Sequence, residues 1–202
     1  ANDRYTLYRE INRELPMGGI ILVGDSLVQN FPINELYNGS NRILNRGIFG
    51  STTYDVINQL DDMANVLKPD TVIIWVGTND FMPIVPHNAE KEVAKRIIDI
   101  ADLVKLQKSN TKILILSLLP VNTSSHPKIY HDWLRGKDND KLKNTNEEIE
   151  RLCKLQNYEF LDLFSLFLDM NNQLQLNYTI DGTHINFAAY KVVFNLLKPY
   201  LQ

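Results

Sequence analysis

Short runs of apolar and branched residues recur along this chain, and a stretch with helical periodicity stands between each run and the next. Residues 20–23, 42–45, 71–76, 112–118 and 159–162 read as strands. Helical patterns cover 2–15, with Tyr5, Tyr8, Ile11 and Leu15 on one stripe, and 27–37, broken at Pro32. Another opens at Ser51 or Thr52 as cap and runs through Val56, Ile57 and Leu60. Three more cover 88–107, 140–156 and 186–197, the first of them with Val93, Ile97, Ile100, Ala101 and Val104 on its inner face. Strands alternating with helices dictate a parallel sheet covered by helices on both faces. The strands are apolar almost throughout, as strands buried on two sides must be. No repeat or low-complexity tract divides the chain, so residues 1–202 are expected to form one domain. One piece escapes the pattern. Residues 121–140 are polar, carry His126 and His131, and have no clean period, which predicts an excursion over one face of the molecule.

Composition excludes several functions. A net charge of -3 and the lack of any Lys/Arg run argue against a nucleic-acid-binding surface. The single cysteine, Cys153, rules out an intrachain disulfide, fits a reducing compartment and so predicts a cytoplasmic protein. It lies among apolar residues at helical spacing and reads as a core residue. No signal peptide is read in a chain that begins at Ala1, and no apolar stretch is long enough to span a bilayer. No Cys/His/carboxylate set has metal-ligand spacing, and Gly24, Gly47, Gly50 and Gly77 stand on separate turns rather than in one phosphate cradle. Neither metal nor cofactor is expected.

In parallel sheets, ligands bind beyond the carboxyl ends of the strands. Ser26, Gly47 and Asn79 each lie just past a predicted strand, so all three are expected on one edge. Ile20 to Val23 deliver the chain into Gly24-Asp25-Ser26, where a tight turn precedes a helix. An amide at a helix start favours developing negative charge. A serine there is a candidate nucleophile, although Gly-Asp-Ser alone also serves as a plain turn. A serine hydroxyl needs a base in hydrogen-bond reach, and the base needs an orienting partner. Of His87, His126, His131 and His184, the last stands out because Asp181 precedes it by three residues. Donors for an oxyanion are offered by the amides of Ser26 and Gly47 and by the side chain of Asn79.

Four blocks occur in order: Gly24-Asp25-Ser26, Gly47, Gly77-Thr78-Asn79-Asp80 and Asp181-Gly182-Thr183-His184. Together they resemble the SGNH (GDSL-type) hydrolase family. Within it, residues 21–29, 72–79 and 116–120 are similar to the catalytic subunits of intracellular platelet-activating-factor acetylhydrolase and to bacterial lipase/acylhydrolases. The resemblance implies a three-layer α/β/α sandwich, flavodoxin-like, with a five-stranded parallel sheet in the order 2-1-3-4-5. It implies Ser26 as nucleophile, His184 as general base, Asp181 as its orienter, and an oxyanion hole from Ser26, Gly47 and Asn79. Asp25 and Asp80 are then supporting residues that shape the loops.

The reaction so implied is hydrolysis of a small, short-acyl ester through an acyl-serine intermediate, with carbohydrate O-acetyl groups, lysophospholipids and thioesters as further substrates of the same fold. A catalytically silent binding domain is the alternative of another class. A homodimer is implied by the resemblance alone. A free imidazole titrates at about 6.5, so activity is expected to fall as pH drops through that range. Two departures bear on the substrate. Gly47 is followed by Ile48-Phe49-Gly50-Ser51, where the acetylhydrolase subunits carry an extra glycine, so the bulkier Phe49 is expected to narrow the acyl pocket, and the excursion at 121–140 is longer here.

Overall fold

The computed structural model describes residues 4–202. In chain order the elements are α1 (Arg4–Asn12), β1 (Ile20–Gly24), α2 (Ser26–Gln29), α3 (Ile33–Leu36), β2 (Ile43–Gly47), α4 (Thr53–Met63), β3 (Thr71–Trp75), α5 (Glu90–Gln107), β4 (Lys112–Leu116), α6 (Asn139–Gln156), β5 (Glu159–Leu161), α7 (Phe164–Phe167) and α8 (Phe187–Leu197). All five strands pair in parallel, in the order β2-β1-β3-β4-β5. This is the three-layer α/β/α arrangement expected from the alternation of elements.

Each inner strand serves two cores. Ile21, Val23, Val72, Ile74, Ile113 and Ile115 pack against residues of α1, α4, α5 and α6. Their neighbours Ile20, Leu22, Ile73, Trp75, Leu114 and Leu116 point the other way, against α2, α3, α7 and α8. Successive side chains on a strand alternate faces, so a strand covered on both sides must be apolar at every position. That is why β1 and β3 are buried from end to end.

Local differences from the sequence reading have physical causes. Residues 2 and 3 of the first predicted helix lie outside the described residues. Beyond Asn12 that helix gives way to turns closed by bonds three residues back, from Arg13, Glu14 and Leu15. Ile11 faces out; Asn12 turns in instead, bonding the Asp62 carbonyl at 2.7 Å and accepting from Arg46 at 2.8 Å. The cap of α4 is Thr52, in a reciprocal capping box with Asp55. The fourth strand stops at Leu116 rather than Leu118. There Asn146 of α6 both accepts from the Leu118 N–H at 2.8 Å and donates to its carbonyl at 3.0 Å. Asn139 does the same for Val121. Two asparagine side chains thus replace a neighbouring strand and carry the chain off the sheet into the excursion. Among the described residues no helix is long and apolar enough to cross a membrane.

Candidate active site

The carboxyl edge of the sheet gathers residues from both ends of the sequence. Asp25 caps the short helix α2, accepting from the Leu27 N–H at 2.9 Å, and so presents Ser26 as its first residue. Gly24 permits this turn, because a Cβ there would lie 2.1 Å from the Trp75 carbonyl oxygen. Tyr190 of α8 donates to the Leu27 carbonyl at 2.7 Å and ties the last helix to the serine turn.

Asp181 and His184 occupy a tight loop just before α8. Thr179 pairs with Ile185 as an antiparallel bridge, and its hydroxyl donates to the His184 carbonyl while accepting from the Gly182 N–H. Asp181 uses both oxygens. Oδ1 accepts from the amides of Thr183 (2.9 Å) and His184 (2.7 Å), and Oδ2 meets His184 Nδ1 at 2.7 Å. The other ring nitrogen, Nε2, lies 2.9 Å from Ser26 Oγ. Three side chains separated by up to 158 positions therefore form one continuous hydrogen-bonded line. Burial would raise the Asp181 pKa, but the bonds from the His184 ring and from two amides outweigh it and leave the carboxyl below its ordinary value. Asp181 stays an anion, with its charge aimed at the imidazole.

The two supporting aspartates differ. Asp25 is buried, and desolvation lifts it to about 6, against the Leu27 N–H and the charges of Lys137 and His184. Asp80 is also raised by burial, and it is opposed by hydrogen bonds from the Thr53 amide and hydroxyl and from Arg96. Arg96 Nη2 lies 3.0 Å from Asp80, and its Nε lies 2.8 Å from the Thr53 hydroxyl. Asp80 thereby ties the turn after β3 to the start of α4 and to α5, and holds its neighbour Asn79 in place.

Ser26, Gly50, Asn79 and His184 line one cavity of about 260 Å³, with Leu27, Phe49, Met82 and Trp133 as its apolar walls. Asn79 spends one of its amide hydrogens on the Ser51 carbonyl at 3.1 Å. Its other hydrogen, and the N–H groups of Ser26 and Gly50, have no acceptor among the described residues.

Gly47 does not match its expected place. It is the last residue of β2, opposite Gly24, and it does not line this cavity. Its N–H is already engaged by Asn45 Oδ1 at 3.0 Å. A Cβ on it would come 2.1 Å from the Gln29 amide nitrogen, so its glycine lets β2 pass close to α2. Gly50 stands at the cavity instead, with φ of +79° and open space where a Cβ would point. Spacing alone did not separate the two glycines, because the strand runs two residues further than its apolar pattern.

The excursion at 121–140 folds across the mouth. It supplies Trp133, whose ring meets His184 edge-on at 4.8 Å, and the buried Lys137. Phe49 lies over the same histidine at 6.3 Å and touches Trp133 at 6.1 Å, and so forms part of the rim. The amides of Asn122 and Tyr130 bond the carbonyls of Gly182 and Asp181, which ties the excursion to the Asp–His loop. His126 and His131 are exposed and take no part. His87 lies before α5, 3.2 Å from Glu92. Cys153 is buried in the core. No group of three or more His, Cys, Asp or Glu able to hold a metal is found among the described residues.

Comparison with known proteins identifies the family and the fold. The model of the GDSL-like Lipase/Acylhydrolase family matches residues 22–192. Platelet-activating factor acetylhydrolase IB subunit alpha2 of Rattus norvegicus is 28% identical over 181 residues, covering 85% of this chain and 70% of that protein. A solved structure from Streptococcus pneumonia, named for platelet activating factor, superposes with a TM-score of 0.84 at 31% identity, over 98% of this chain and 91% of that one. A GDSL-like lipase of Bacteroides thetaiotaomicron shares the fold, with a TM-score of 0.82 at 22% identity, over 98% and 96%. The chain belongs to the GDSL-like lipase/acylhydrolase family, whose members are hydrolases acting on esters.

Proposed function

We propose that the chain is a serine esterase that hydrolyses a small, short-acyl ester through an acyl-Ser26 intermediate. The observation that carries this reading is the line Ser26 Oγ–His184 Nε2 at 2.9 Å and His184 Nδ1–Asp181 Oδ2 at 2.7 Å. Ser26 Oγ attacks the ester carbonyl carbon while His184 Nε2 takes its proton, and Asp181 holds the ring and offsets the imidazolium charge. The carbonyl oxygen, now an anion, is met by the N–H groups of Ser26 and Gly50 and by the free amide hydrogen of Asn79. His184 then gives the proton to the departing alcohol, leaving the acyl group on Ser26. A water, deprotonated by the same imidazole, attacks the acyl carbon; the bond from that carbon to Ser26 Oγ breaks, His184 returns the proton to Oγ, and the carboxylic acid leaves.

The cavity size supports a short acyl group, since about 260 Å³ shared by both halves of an ester leaves little room for a long chain. Hydrolysis of p-nitrophenyl acetate by wild type and by Ser26→Ala tests the reading. Wild type should turn over and react with a fluorophosphonate at Ser26. The alanine variant should lose about 10⁴-fold or more in kcat. Equal rates in the two proteins would remove Ser26 from the mechanism. A series of acetyl, butyryl and octanoyl esters should show kcat/KM falling with chain length.

A further inference from the structure

Lys137 sits in the excursion between Gly136 and Asp138, the cap of α6. The residue is only 7% exposed, yet its ammonium has no hydrogen bond or ion pair among the described residues. It lines the same cavity as Ser26 and His184. Asp25 and Asp181 act on it through space, but both are already engaged, by the Leu27 amide and by the loop of His184. The other charged residue of the wall, Asp132, has an exposed carboxylate 3.4 Å from Arg135. A lysine that served only to balance those aspartates would reach one of them, and this one does not. Its Nζ is not among the side-chain atoms sealed from solvent without a partner, so the ammonium opens to the cavity that Lys137 lines rather than into the core. A cation placed there with no protein acceptor is available to an anionic group that a ligand brings.

We propose that Lys137 binds an anionic group, a phosphate or a carboxylate, carried by the ester, so that the enzyme prefers anionic esters to neutral ones. The proposal rests on the serine-esterase reading and names the substrate class for it. The apolar walls would take the short acyl group and Lys137 the charge.

Matched pairs of acetyl esters test it: 2-acetoxyethyl phosphate against 2-acetoxyethanol, and 4-acetoxybenzoate against 4-methylphenyl acetate. In wild type, kcat/KM should favour the anionic member at least about tenfold in one pair, and which pair does so identifies the anion. In Lys137→Met that ratio should collapse toward one, and Lys137→Arg should restore it to within about threefold. A ratio near one in both wild-type pairs overturns the proposal without any variant. So does a Lys137→Met protein in which both members of a pair fall by the same factor. Neither result touches the esterase reading, which fails only if Ser26→Ala hydrolyses the neutral esters as fast as wild type.

Discussion

At the scale of single residues, the chemistry depends on which groups have been left unpaired. Asp181 has both oxygens committed, whereas the N–H groups of Ser26 and Gly50 and one amide hydrogen of Asn79, all on residues that line the cavity, have no acceptor among the described residues. Two substitutions separate these roles. Asp181→Asn keeps the shape but presents a neutral amide to Nδ1, which disfavours the tautomer that can take the serine proton. It should lower kcat by about 10⁴-fold with little change in KM. In the proposed mechanism, Asn79→Ala removes a donor to the anion that exists only after attack. It should cost about 10²–10³ in kcat, again with KM preserved. Steady-state kinetics on p-nitrophenyl acetate reads both. A rise in KM at constant kcat for Asn79→Ala would move that side chain from the transition state to ground-state binding.

At the level of elements, a buried cap and a glycine turn fix the loops of the site. Asp25 caps α2 while buried, and it titrates at about 6 rather than 3.8. A carboxyl raised in the native state stabilises it below about pH 4, and that contribution is lost as pH rises through 6. About two pH units correspond to roughly 3 kcal/mol. Asp25→Asn keeps an oxygen for the Leu27 amide and carries no charge. Between pH 4 and 7 its urea stability should therefore gain on wild type by up to that amount. A difference that is flat with pH would show Asp25 titrating normally. Gly182 has φ of +98°, and a Cβ on it would sit 2.7 Å from the Asn122 carbonyl oxygen. Gly182→Ala should cost about 1–3 kcal/mol and lower kcat by pulling the Asp–His loop from the excursion. Thermal melts and kinetics of one preparation measure the two effects together.

The same elements show what could be read in advance. The sheet was legible because strands buried on both faces carry an apolar residue at nearly every position, and Ser26, Asp181 and His184 were legible as candidates because their blocks are short and local. The ends were not. Nothing in residues 112–118 shows that Asn146 and Asn139, distant in sequence, take the place of a strand beyond Leu116. Gly47 and Gly50 are alike as letters and differ in φ, in the space beside them and in what already holds the amide, none of which the spacing shows. Lys137 lies in a stretch without period, so its burial is a purely tertiary fact.

For the whole molecule, the sheet is a shared wall between two cores, and stability should be indivisible across it. Ile21 and Leu22 are adjacent and both fully buried, but they face opposite clusters. Truncating either to alanine should cost about 2–5 kcal/mol. The chain has two tryptophans, Trp75 buried on the Leu22 side and Trp133 at the cavity mouth. In a Trp133→Phe background, the remaining indole reports on one face alone, where it packs edge-on to Phe31 at 6.4 Å and donates to the Ser117 carbonyl. Ile21→Ala, placed on the far face, should move the Trp75 fluorescence midpoint in urea by as much as it moves the far-ultraviolet circular dichroism midpoint. Removing Ile21 loosens β1, and β1 cannot leave one core while keeping its place in the other, because its residues alternate between them. Two separated transitions, or a Trp75 midpoint unmoved by Ile21→Ala, would mean that the faces unfold independently and that the strands do not couple them.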